Sequence, residues 1–167
     1  PIPEPEETEA QVQSKAEDIE REYGVSILVG EEIDTYFYDF HVETVTDWMV
    51  VLDALNTLED ALQDYPEGFF RQLRYGDVHR TEIHLAGALT PINEEYSASY
   101  VAFVQDEYDC HVMVVDIFMA EEGTYYHEFS HIIDRFLEWD AMQRPDALFS
   151  DETWCSLNPG WFPGYSY

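Results

Sequence analysis

The chain has 167 residues, which is the size of one domain. With 46% apolar and 16% aromatic residues it can bury a sizeable core, and this excludes wholesale disorder. Its 36 acidic residues against 7 basic ones give a formal charge of −29, so phosphate backbones and anionic bilayer surfaces would repel it, and nucleic-acid binding is excluded.

Residues 1–7, PIPEPEE, read as an extended acidic linker joined to something upstream. From Thr8, which can cap a helix, Ala10, Val12, Ala16, Ile19 and Tyr23 recur at helical spacing, and Gly24 is placed to end the helix. Val25 to Val29 is a short apolar run closed by Gly30, a strand. Glu31 to Val45 has no clean period and reads as loop with extended pieces. Thr46 then caps a second helix to about Tyr65, with Trp48, Val51, Leu52, Leu55, Leu58 and Leu62 as its stripe. Pro66 opens a short third helix through Leu73.

Thr81 to Leu85 alternates, with Ile83 and Leu85 on one face and Glu82 and His84 on the other, so it reads as a half-buried strand. Ala86 to Ser99 is mostly loop. Tyr100 to Gln105 and His111 to Val115 form two strands joined at hairpin length. A helix follows from about Glu121 to Trp139. Asp140 to Tyr167 is irregular and aromatic, broken by Pro145, Pro159 and Pro163. No run approaches the ~18 apolar residues that a membrane span needs. Pro1 opens a polar stretch, not a signal peptide. High acidity with a single lysine, Lys15, fits a secreted chain before a salt-tolerant one. Cys110 and Cys155 are either a disulfide or two buried thiols, and neither belongs to a CxxC pair.

His127-Glu128-Phe129-Ser130-His131 is an HExxH motif. Residues i and i+4 share one helical face, so both imidazoles can reach a single ion. Glu128 can then take a proton from water and return it to a leaving amine. Neutral imidazole and carboxylate suit Zn²⁺. Chance supplies only about 0.03 such matches in a chain of this composition. Uncharged neighbours on both sides predict a helix buried nearly all round, with Thr124 and Asp134 on the histidine face. A tetrahedral site needs a third protein ligand. Glu138 lies about 10 Å further along the same helix, too far to share the ion. Asp134 suits outer-sphere work or the anchoring of Arg135. Asp146, Asp151 and Glu152 are weak candidates on the returning segment. His41, His79, His84 and His111 read as strand or loop histidines, and the clusters Tyr36-Phe37-Tyr38 and Phe69-Phe70 as packing.

HEFSHIID, followed by Trp154, by Ser156-Leu157-Asn158-Pro159 and by the aromatic run Trp161 to Tyr167, resembles zinc-binding metallopeptidases of the bacterial surface-lipoprotein type. These are similar in turn to the anthrax lethal factor catalytic domain. YGVSILVG (23–30) and YPEGFFRQL (65–73) fit the same group. The resemblance implies an α+β, zincin-like fold over residues 8–167, in which a twisted mixed or antiparallel sheet is backed by helices and an HExxH helix crosses one face. It implies His127 and His131 as zinc ligands and Glu128 as general base and acid. It also implies a lipid anchor upstream and a bacterial extracellular or cell-surface location. In such families a Glu on a later helix is the third ligand and a Tyr supports the oxyanion. The chain stops before such a helix, which predicts that it lacks its C-terminal part and leaves Tyr165 and Tyr167 as weak oxyanion candidates. The substrate expected is a peptide or protein, with basic sequences favoured by the acidic balance, paired in extended form to the edge of strand Tyr100 to Gln105. The rival reading is a non-catalytic secreted binding or nutrient-import accessory module that retains the fold.

Overall fold

Among the described residues, three helices and two sheets take up the apolar periodicities of the sequence. The computed structural model describes residues 5–33, 35–37, 40–92, 100–107 and 109–143. In chain order the elements are α1 (Pro5–Tyr23), β1 (Ser26–Val29), β2 (Tyr36–Phe37), β3 (Phe40–Val42), α2 (Trp48–Leu62), β4 (Arg80–Ala86), β5 (Leu89–Pro91), β6 (Ala102–Glu107), β7 (Cys110–Asp116) and α3 (Glu122–Gln143). Short 3-10 turns occupy Gly30–Glu32 and Phe69–Gln72.

α1 buries Val12, Ala16, Ile19 and Tyr23 of the stripe its spacing predicts, whereas Ala10 is exposed. It starts at Pro5, so residues 5–7 of the expected linker are helical, and Thr8 is a buried helical residue instead of a cap. Proline is well tolerated in a first turn, where its missing N–H has no partner to lose. Gly24 ends the helix at φ 79°, with its N–H on the Glu20 carbonyl at 3.0 Å. The Arg71 guanidinium donates to the Arg21 carbonyl and takes up another orphan of that helix end.

α2 is capped by Asp47, not Thr46. The Asp47 carboxylate accepts from Met49 N at 3.1 Å and from Val50 N at 3.5 Å. Its buried face, Val51, Ala54, Leu55, Leu58, Ala61 and Leu62, meets α1 on one side and α3 on the other. The helix stops at Leu62, short of Tyr65. The Lys15–Glu59 ion pair joins α1 to α2.

The larger sheet has the order β1-β4-β7-β6. β1–β4 and β4–β7 pair in parallel, and β6–β7 is an antiparallel hairpin. α2 lies between β1 and β4 in the chain, as the crossover of a parallel pair requires. Ile27, Ile83, Leu85, Met113 and Val115 form one core with all three helices. The opposite face carries Ala86, Val112 and Val114 into a second core with Ile33, Val42 and Leu89. The second sheet, β2-β3-β5, is fully antiparallel and falls in stretches that read as loop from sequence. Cover on both faces explains why all seven residues of β7 are buried. It also corrects the half-buried reading of β4: His84 is 4% exposed. The fold class is α+β with a mixed sheet, as expected.

Candidate metal centre

α3 carries the motif. Its start is fixed locally, since Thr124 Oγ1 accepts from Glu121 N at 3.2 Å. Tyr125, Phe129 and Ile132 are buried and face the core at i, i+4, i+7 spacing. Phe129 packs against Phe70, with ring centroids 4.8 Å apart, and against Tyr65 at 5.5 Å. Thus the middle residue of HEFSH roots the helix, Glu128 beside it is buried as well, and His127 and Ser130 are exposed. Tyr126 OH contacts Asp64 and Glu122, each at 2.8 Å, and ties α3 to the end of α2.

His127 and His131 stand on one face, as their spacing predicts. Their Nε2 atoms are 3.1 Å apart and their rings meet edge to face, with centroids at 4.7 Å. Burial lowers the His131 pKa, and the charges of His127 and Arg135 add to this against Asp134. The ring is therefore held in the neutral form that ligates metals. Glu128 is 5% exposed. Burial raises its carboxyl pKa, with His127 and Arg135 pulling the other way. A carboxyl raised in this way holds a proton more readily than an exposed one.

A cleft of about 540 Å³ opens on the motif. Its walls include Val101, Ala102, Glu121, Thr124, His127 and Glu128. It therefore brings the N-terminal turns of α3 together with the start of β6, and it places Thr124 beside His127 as the helical wheel predicts. β6 is the terminal strand of its sheet and packs along α3.

The helix differs from the sequence expectation in one respect. It is buried along one stripe only: His127, Ser130 and Asp134 are exposed within the described residues. Uncharged side chains on both flanks of the motif do not by themselves require cover on both. Asp134 does not hold Arg135. Arg135 instead donates to Asp106 Oδ1 at 2.8 Å and to the Val104 carbonyl at 3.0 Å. Asp106 also accepts from Tyr75 OH at 2.9 Å and from His111 Nδ1 at 2.7 Å. These hydrogen bonds lower the Asp106 carboxyl to about 2, against the opposing effect of burial.

This network was not foreseen. Its signal in the sequence is scarcity: Arg135 is the one lysine or arginine of α3, in a chain with only 7. Cys110 is a buried free thiol donating to the Glu107 carbonyl at 3.2 Å, and burial raises it to about 11. Asp146, Asp151, Glu152, Cys155, Tyr165 and Tyr167 lie outside the described residues. Among the described residues no group of three His, Cys, Asp or Glu is placed to hold a metal, and no helix is long and apolar enough to cross a membrane. Comparison with family models, curated proteins and solved structures gives no match to this chain.

Proposed function

We propose that this protein is a zinc-dependent metallopeptidase of the zincin type. One observation carries the reading: His127 Nε2 and His131 Nε2 stand 3.1 Å apart on one helix face, and the buried Glu128 lines a cleft together with His127. Two imidazole nitrogens converging without a carboxylate or carbonyl between them fit a shared divalent ion, and the lowered His131 pKa keeps that ring unprotonated for it. Zinc, when bound, supplies the Lewis acidity that acidifies a water and polarises a peptide carbonyl.

The chain's own residues do the rest. Glu128 accepts the proton of the attacking water and hands it to the leaving amine. Its burial excludes bulk water from that transfer. Ala102, at the start of β6, offers a strand edge against which an extended peptide can lie. Glu121 and Glu128 in the cleft, with no basic residue among its lining, favour cationic peptides. The resemblance to surface lipoproteins adds an upstream lipid anchor and an extracellular location to the proposal.

Replacing Glu128 with Gln tests the reading. Peptide cleavage is expected to fall by roughly 10²–10⁴-fold while zinc content and thermal stability hold. An unchanged rate contradicts it. A second reading is a secreted binding or nutrient-import accessory module without turnover. It is favoured by the lack, among the described residues, of a third ligand. Stoichiometric zinc with no cleavage across a broad peptide library would select it.

A further inference from the structure

We infer that Arg135 closes the far end of the peptide-binding edge, so that this chain cleaves close to the N-terminus of its substrates. The inference rests on the metallopeptidase reading and deepens it.

The argument starts from the backbone of β6. Asp116 N donates to the Val101 carbonyl at 2.8 Å. Antiparallel ladders alternate, so Phe103 and Gln105, which share that parity, also turn their N–H and C=O groups toward β7. The N–H and C=O groups of Ala102 and Val104 point the other way, to the free side of the sheet. Ala102 lines the cleft next to His127 and Glu128. At Val104 the carbonyl is already taken by Arg135 Nη2 at 3.0 Å.

Arg135 is not free to step aside. Its Nη1 is held by Asp106 Oδ1 at 2.8 Å, and Asp106 is itself fixed by His111 and Tyr75. A peptide extending its ladder past Ala102 would have to displace a guanidinium that makes a charge-assisted bond and an edge bond at once. The usable edge thus spans about two residues, near 7 Å at the usual strand rise.

Antiparallel pairing is the more stable of the two modes for an added strand, and a peptide bound that way runs opposite to β6 (Ala102–Glu107), so the part of it lying toward Val104 is N-terminal to the bond held at His127 and Glu128. That side is the blocked one. The chain should therefore release short N-terminal pieces, while the C-terminal side of the substrate is not limited by this contact.

The test digests a mixture of long synthetic peptides of randomised sequence with the zinc-loaded full chain and sizes the N-terminal products by mass spectrometry. Products of one or two residues should exceed those of four or more by about tenfold, the scale of one displaced hydrogen bond. Arg135→Ala should shift the distribution toward longer products by a similar factor, with Arg135→Lys between the two. Thermal unfolding of each variant shows that it is folded. Should Arg135→Ala fail to fold, the wild-type distribution decides alone. Equal yields of short and long pieces from the wild type, or a short-product bias that survives in folded Arg135→Ala, would overturn the inference and leave the metallopeptidase reading standing. No zinc-dependent cleavage of any peptide overturns both.

Discussion

His127 Nε2 lies 3.1 Å from His131 Nε2, and the two rings stand almost perpendicular, at 88°. Two protonated imidazoles would repel at that separation, so the pair favours sharing one proton or one metal ion. If the ion is zinc, each histidine is indispensable. His127→Ala and His131→Ala should each weaken zinc binding by more than about 100-fold, beyond the effect of losing an outer partner. Isothermal titration with zinc checks this. Affinity should also fall in acid, because protons compete for the His131 nitrogen, and burial moves that competition below the ordinary ~6.5.

The Asp106 network gives a pH signature of its own. The folded carboxyl titrates at about 2 against an ordinary 3.8. Since the folded pKa is depressed, its contribution is present above about 4 and is lost as pH falls through 2. Asp106→Asn should therefore destabilise the fold at neutral pH. The cost should be about 1 kcal/mol, well under the full conversion of the shift, because the side chain is 40% exposed and screened. The difference from wild type should shrink toward zero in denaturant titrations taken near pH 2. A gap that persists undiminished there would contradict the network.

Phe129 anchors the motif helix from within the motif itself. It is fully buried against Phe70 and Tyr65. Phe129→Ala removes that anchor and leaves a cavity, so unfolding in urea should show a loss of about 3–5 kcal/mol. Zinc affinity should drop with it, because the histidines are positioned by the helix that Phe129 holds.

Asp47 closes the exposed N-terminal amides of α2. Asp47→Ala should cost about 1 kcal/mol of stability without touching the site. Thr46→Ala, at the residue that the sequence pattern favours as cap, should cost almost nothing. Paired denaturation curves separate the two.

Periodicity made the helices legible. The α1 stripe from Ala10 to Tyr23 and the α2 stripe from Trp48 to Leu62 are local patterns, and both are buried as read apart from the exposed Ala10 and the partly buried Trp48 and Leu52. The histidine pair was legible for the same reason, since spacing of four residues fixes a shared face. The β2-β3-β5 sheet was not, because strands of two and three residues carry too few alternations to register. Nor was the Arg135–Asp106–His111–Tyr75 network. Its members come from α3, β6, β7 and the stretch before β4, and no local pattern ties them together. His84 shows the same limit: alternation put it opposite Ile83 correctly, but only the second sheet determines that this face is covered.

The most direct measurement is an anomalous-scattering map at the zinc absorption edge from crystals of the full chain grown with zinc. A single peak about 2.0–2.1 Å from both His127 Nε2 and His131 Nε2 is the predicted result. The two rings bonded to each other, or to separate partners, with no peak between them in excess zinc would contradict the account.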